Sequence, residues 1–455
     1  MKNNSFFNFR KTLVVCGIAL NMFANAQQWD NVGSSSIVSA GGSSYNNLAI
    51  DASGNYYLSY YDVSVAKGSV QKFDGNSWSY LGGSAGITTG TATFNALTLD
   101  SQGAVYYSNQ IGYPGTGMEV RKFSSGTWGS LPNVTSTSVN YQAMAVSPSN
   151  TLFAYSSDGS GTVRRYNNGV WEQVGTAGFA GGATFAKMVI GSDNTIYACQ
   201  IASGVKVYKI NANASNTDSW TLLGGTTAGN GYTSDNSFSD IALDGNNNPY
   251  VLYVSSTAEG RKLNVKKFDG NSWIQIGAAN FSDTVVNNTA LTVSTSGIPY
   301  VVSSIWDSSN ANHTKNTVYR FDAGTGNWSK VGGDFVSDGA STFADIAIDP
   351  VNNYLVLAYT QSGTRVKRIS LNTLSVNDIK NNDSFGIYPN PTNGVIYFKD
   401  ERKIKSAEVT NAVGQIIAAR MTDQQIDITD APKGIYFVKV TFENGKSLVK
   451  KIMKK

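Results

Sequence analysis

Short runs that alternate apolar and polar residues fill most of this chain, broken by turns of Gly, Asn, Asp and Ser. Alternation at period two predicts strands, and two runs around a tight turn predict a β-hairpin. One hairpin phrase is clearest at residues 265–277, VKKFDGNSWIQIG. It returns at 70–82, 120–131, 163–175, 207–224 and 318–332, each time as Val, any residue, Lys or Arg, a turn, then Trp. A second phrase lies between the copies seven times, as in YNNLAIDASGNYYLSY from Tyr45 and FADIAIDPVNNYLVLAY from Phe343. It too reads strand, short turn, strand. No sustained period of 3.6 appears in this stretch.

The period of the repeat decides the architecture. Trp78, Trp128, Trp171, Trp220, Trp273 and Trp328 are 50, 43, 49, 53 and 55 residues apart. Four short strands per unit at a period near 50 predict an all-β fold, a seven-bladed β-propeller over residues 27–370. The last Val-x-basic strand, from Val366, has no Trp strand after it. The missing piece stands at the other end, at Trp29-Asp30-Asn31-Val32-Gly33. This N-terminal strand is predicted to close the ring as the outer edge of the last blade.

Within the repeat, the first strands alternate large and small residues, as in Leu48-Ala49-Ile50 and Ile346-Ala347-Ile348. That suits strands lining a crowded central channel. Burying a Trp removes roughly 200 Å² from water, worth up to ~5 kcal/mol before entropy, so the Trp column is expected to stack the units. The basic column, Lys72, Lys122, Arg165, Lys209, Lys267, Arg320 and Arg368, is expected to lie over apolar surface or pair with acids. Asp51, Asp100, Asp244 and Asp349 begin hairpin turns and are expected to bond their own backbones. They lack the spacing of a calcium loop.

Composition refines this picture. Only 15% of residues are charged, and Gly, Ser, Asn, Thr and Tyr are abundant, as in a secreted β protein. The net charge of +4 conceals a division. Residues 27–384 carry 20 basic and 24 acidic residues, whereas 385–455 carry 12 and 7. A mildly acidic body excludes nucleic acid as an expected partner. Residues 1–26 have a basic start, the apolar run 13–23 and Ala24-Asn25-Ala26, the pattern of a signal peptide. The apolar run is too short to span a membrane, so no transmembrane segment is expected in the mature chain. Removal of that segment leaves Cys199 alone, in an apolar strand, as a buried small hydrophobe.

Chemistry is sparse. No nucleophile elbow, phosphate loop or metal-spaced His/Cys cluster is present, and no cofactor, metal or catalytic residue is expected. The longer loops emerge on one face by strand alternation, and loops over a rigid scaffold carry binding residues. The candidates there are Tyr61, Asp62, Tyr113, Trp306, Asp307 and His313, the only His in the chain. A hydrolase would need two carboxylates facing each other at ~5 to 9.5 Å. Asp62 and Asp307 belong to distant units and nothing in the sequence brings them together. The expectation is therefore a non-catalytic binding module for glycan or protein. The alternatives are an extracellular glycoside hydrolase or lyase and a purely structural surface protein.

After Ile369 the repeat stops. Residues 371–384 are polar and predict a linker. Residues 385–455 read as alternating strands of a small β-sandwich. The series Tyr388-Pro389-Asn390-Pro391-Thr392-Asn393-Gly394, then Asn411-Ala412-Val413-Gly414-Gln415, then Lys433-Gly434-Ile435-Tyr436-Phe437-Val438 and a basic last strand resembles the type IX secretion C-terminal sorting domain, type A, of Bacteroidetes. The resemblance implies export through the periplasm and across the outer membrane, with the type IX machinery as partner, to a secreted or cell-surface location. The body resembles tectonin- or kelch-like propellers in general style only, and that implies no site residues.

Overall fold

The computed structural model describes residues 28–112, 116–182, 184–233, 238–372, 386–399, 403–411, 415–422, 424–443 and 447–455. The signal-peptide segment, Tyr113 and nearly all of the expected linker lie outside these. The chain divides into two compact units, Met1–Asn372 and Thr373–Lys455.

The described residues of the first unit form seven four-stranded antiparallel sheets, numbered here 1 to 7 in chain order. Sheet 1 comprises Ser43–Ile50, Tyr56–Asp62, Lys67–Phe73 and Trp78–Tyr80. Sheet 7 comprises Thr342–Asp349, Tyr354–Thr360 and Thr364–Ser370, with Asp30–Asn31 as its outer strand. Asp30 pairs with Arg368 and Asn31 with Lys367.

The tryptophans fasten each sheet to the one before it. The Trp78 indole N–H donates to the Val32 carbonyl at 2.8 Å, Trp128 to Leu81 at 2.7 Å, and Trp171 to Pro132 at 2.7 Å. Trp328 donates to Ile276 and Trp29 to Val331, both at 3.0 Å. Except at Trp171, whose bond is exposed, each satisfies a donor that partial burial would otherwise leave costly. The glycine that ends most of the Trp strands makes room for the next Trp, whereas the Trp128 strand ends in Leu131-Pro132. A Cβ on Gly277 (φ +65°) would lie 2.8 Å from Trp328, and one on Gly332 (φ +70°) 2.6 Å from Trp29. Trp220 departs from the pattern and stacks on Phe179 at 4.2 Å.

The basic column does what long side chains over a β surface do. Lys72 lies over Tyr57 at 5.3 Å, Lys267 over Tyr250 at 5.1 Å and Arg368 over Tyr354 at 4.5 Å. Lys267 also pairs with Asp244 at 3.1 Å, and Arg165 with Glu172 at 2.9 Å. The turn aspartates bond their own backbones. Asp51 accepts from the amides of Ser53 and Asn55, both at 2.9 Å, and Asp244 from those of Asn246 and Asn248 at the same distance. Cys199 is fully buried, and burial pushes its thiol up to about 12.

The second unit has two four-stranded sheets. One core of Ile396, Phe398, Val409, Ile426, Val438, Val440 and Ile452 joins them. Gly434–Phe442 is its longest strand, paired on one side with Ile404–Asn411 and on the other with Ser447–Lys454. Among the described residues no helix is long and apolar enough to cross a membrane.

Candidate functional site

The first strands of all seven sheets surround one cavity of about 250 Å³. Their geometry departs from a plain ladder. Five of them shift register near their start, between Ser44 and Asn47, Thr93 and Ala96, Thr184 and Lys187, Asn287 and Ala290, and Thr342 and Asp345. Inside each bulge a non-Gly residue takes a positive φ: Tyr45 (56°), Phe94 (48°), Phe185 (51°), Asn288 (48°) and Phe343 (50°). Bulges re-aim side chains, and a positive φ in a bulky residue costs roughly 1–3 kcal/mol unless its surroundings hold it.

What this strain holds is a collar of aromatic rings. Successive centroids lie 4.7 Å apart from Phe343 to Tyr45, 4.9 Å to Phe94, 5.9 Å to Tyr141, 5.4 Å to Phe185 and 5.0 Å to Phe238. Asn288 stands at the corresponding place in sheet 6. Polar side chains one residue on bind the collar backbone of the sheet before. Asn46 donates to the Phe343 carbonyl at 2.9 Å, Asn95 to Tyr45 at 2.8 Å, Ser239 to Phe185 at 3.0 Å and Thr289 to Phe238 at 2.8 Å. Asn288 accepts from the Phe343 amide at 2.8 Å. The chain of contacts therefore passes through sheet 7 back to sheet 1.

One residue deeper stand the charged groups. Sheets 2, 3 and 6 place Ala96, Ala143 and Ala290 there and sheet 1 places Asn47, but sheets 4, 5 and 7 place Lys187, Asp240 and Asp345. Each carboxylate ties its own sheet to the next. Asp240 accepts from the amides of Ile241 at 2.8 Å and Leu291 at 2.9 Å. Asp345 accepts from those of Ile346 at 3.0 Å and Leu48 at 2.7 Å. Burial pushes both carboxyls above the ordinary carboxylate range, and the Lys187 charge draws them partly back. Burial works against the Lys187 ammonium, yet the two carboxylates outweigh it and its pKa is raised. Among the described residues the ammonium has no hydrogen bond and no ion pair within 4.0 Å.

The loop candidates fall into two places. Asp62 ends the second strand of sheet 1, fully buried, and accepts from the Ser64 amide and from the hydroxyls of Ser64, Ser69 and Tyr80. It holds its loop together. Tyr61 beside it is half-buried. Trp306, Asp307 and His313 share the loop after Pro299–Ile305 in sheet 6. Trp306 is half-buried and lies on the His313 ring, centroids 5.2 Å apart. The Asp307 carboxylate accepts from the Ser309 amide at 3.0 Å, its hydroxyl at 2.6 Å and the Thr284 hydroxyl at 3.0 Å. Those donors hold it below the ordinary carboxylate range. The structure thus brings three candidates together and leaves Tyr61 and Asp62 in another sheet's loop.

The collar and the charged trio were not among the sequence candidates. Their signal was present: in the repeated phrase of aromatic, two residues, then an apolar residue, the position after the first variable residue is Lys187, Asp240 or Asp345 in three copies.

Comparisons with known proteins place the second unit in a class. Residues 386–455 match the family described as the secretion system C-terminal sorting domain. The chain therefore carries a type IX sorting domain, which directs it out of the cell or to its outer surface. No curated protein matches the chain. Among solved structures, a family PL25 ulvan lyase bound to -[GlcA(1-4)Rha3S]- is similar at 10% identity, with a TM-score of 0.49, over 73% of this chain and 94% of that one. The α-L-arabinofuranosidase Arb93A of Fusarium graminearum, in complex with an iminosugar inhibitor, is similar at 11% identity and a TM-score of 0.43, over 76% of this chain and 97% of that one.

Proposed function

We propose that the first unit is a seven-bladed propeller, closed by the strand at Asp30–Asn31, and that it works as a non-catalytic binding module for glycan or protein outside the cell. The seven sheets around one cavity and the unbroken circuit of collar contacts support the ring. The observation that carries the binding reading is the state of the loop carboxylates. Asp62 and Asp307 are both taken up by hydrogen bonds from their own loops and the strands or loops beside them, Asp62 entirely out of solvent. Those bonds hold the loops in fixed shapes, as a recognition surface requires, and they commit the carboxylates to structure rather than to proton transfer. Trp306, Asp307 and His313 are the proposed contact group on that face, with Tyr61 at the end of the second strand of sheet 1, two sheets further on. Tyr113 belongs to the same proposal and lies outside the described residues.

Export is the second unit's task. A chain ending before Phe385 should keep a folded first unit and stay in the periplasm, and normal surface delivery of that truncated chain would sink the division of labour. A glycan array with the secreted chain, beside its Trp306→Ala variant, tests the binding reading. Binding that the variant lowers about fivefold or more, the loss of a contact worth ~1 to 3 kcal/mol, is the expected result. Binding to no glycan or surface protein would remove the reading.

A further inference from the structure

The geometry of the central cavity points to a binding site for an organic ammonium group, and we propose amino sugars as the class of ligand. Only the choice of sugars rests on the binding-module reading above; the charge argument stands without it. Asp240 and Asp345 share the cavity lining with a single lysine, Lys187, so with both carboxyls ionised the trio carries one uncompensated negative charge among aromatic, aliphatic and neutral polar side chains. A buried charge without a partner is costly, and a cation entering the cavity would offset it. Each carboxylate oxygen takes one backbone N–H and keeps further acceptor capacity for a ligand's N–H groups.

The neighbours of the trio give the site a direction. Lys187 and Asp240 stand on adjacent sheets, whereas Asp345 is separated from Asp240 by the sheet that carries Ala290. The small side chain of Ala290 leaves space between the two carboxylates. The collar has its one non-aromatic place, Asn288, on that same sheet. Asn288 and Ala290 thus stand between the two carboxylates, where the collar passes from Phe238 to Phe343. Aromatic rings attract cations electrostatically, so the collar and the carboxylates favour the same ligand charge. A cavity of about 250 Å³ suits one sugar ring rather than a chain.

The test is a calorimetric titration of the full secreted chain with glucosamine, N-acetylglucosamine and glucuronate, which differ chiefly in charge. Glucosamine should bind at least about tenfold more tightly than the other two, the order one charge-assisted hydrogen bond contributes. Asp345→Asn and Asp240→Asn should each weaken it about tenfold, while Lys187→Met should leave it unchanged or tighter. Equal or better binding of N-acetylglucosamine or glucuronate would overturn the proposal. So would no binding of glucosamine, or glucosamine binding indifferent to both Asp→Asn variants. Should one of these variants fail to fold, the other and Lys187→Met still decide. Array binding with no glucosamine response sinks this inference alone; glucosamine binding with a silent array sinks the wider glycan reading and leaves the ammonium site standing.

Discussion

The outer and inner edges of the sheets obey different rules. At the outer edge, sheet after sheet repeats one device: a Trp whose indole N–H reaches the carbonyl of the sheet before, and a glycine that admits the ring. At the inner edge the backbone bulge repeats, but the side chain behind the collar changes from Ala or Asn to Lys187, Asp240 and Asp345. In a repeat protein, sameness across units is what stacking demands. A charge appearing in three units of seven is not what the repeat demands, even though Asp240 and Asp345 also tie their sheets to the next. The uniform edge is scaffold, and the irregular edge is where a ligand would be recognised.

Breaking the uniform edge should have the largest effect. Trp29→Ala should cost ~3 to 5 kcal/mol, as other large truncations in packed surroundings do, and a denaturant melt reads it directly. An unchanged midpoint would remove the closing strand from the account. Next comes the glycine behind it. Gly332→Ala combines a left-handed φ of +70° with a Cβ 2.6 Å from the Trp29 ring, and should cost ~1 to 3 kcal/mol.

The inner edge should respond to pH instead. Asp345 has its pKa raised above 3.8 in the folded chain, so the folded state holds that proton more tightly than the unfolded one. Its contribution to stability therefore falls as pH rises from the unfolded value through the folded one. The stability of Asp345→Asn relative to the natural chain should accordingly rise between about pH 3 and pH 7, by the order of 1 kcal/mol for each unit of displacement. A difference that is flat with pH would contradict the half-buried, underpaired state of this carboxylate. The smallest stability effect is expected at Trp306, which is half-buried on a loop. Trp306→Ala should change the melt by no more than ~0.5 kcal/mol. A large loss of stability with intact binding would assign Trp306 to the scaffold.

These edges were not equally legible in the sequence. The Trp column, the Val-x-basic strands and the turn aspartates declare themselves because each is local and recurs in register. The pairing of Asp30–Asn31 with the strand Thr364–Ser370 was readable by counting strands. The collar was not, because its orientation depends on a bulge at Tyr45, Phe94, Phe185 and Phe343, where no Gly announces the positive φ. Lys187, Asp240 and Asp345 are separated by 53 and 105 residues and come together only around the cavity that the first strands line. Asp62 looked like an open loop acid, yet its neighbours Ser64, Ser69 and Tyr80 enclose it, and no pattern along the chain announces enclosure.

The most direct test of the central claim, that the protein binds without cutting, uses the polysaccharides that the secreted chain retains in a pull-down. Each is incubated with the chain and followed for new reducing ends, the mark of hydrolysis, and for unsaturated ends, the mark of a lyase. The account predicts retention with no new ends of either kind. Accumulation of either product, abolished by replacing Asp307 or the channel carboxylates, would make the protein an enzyme and contradict it.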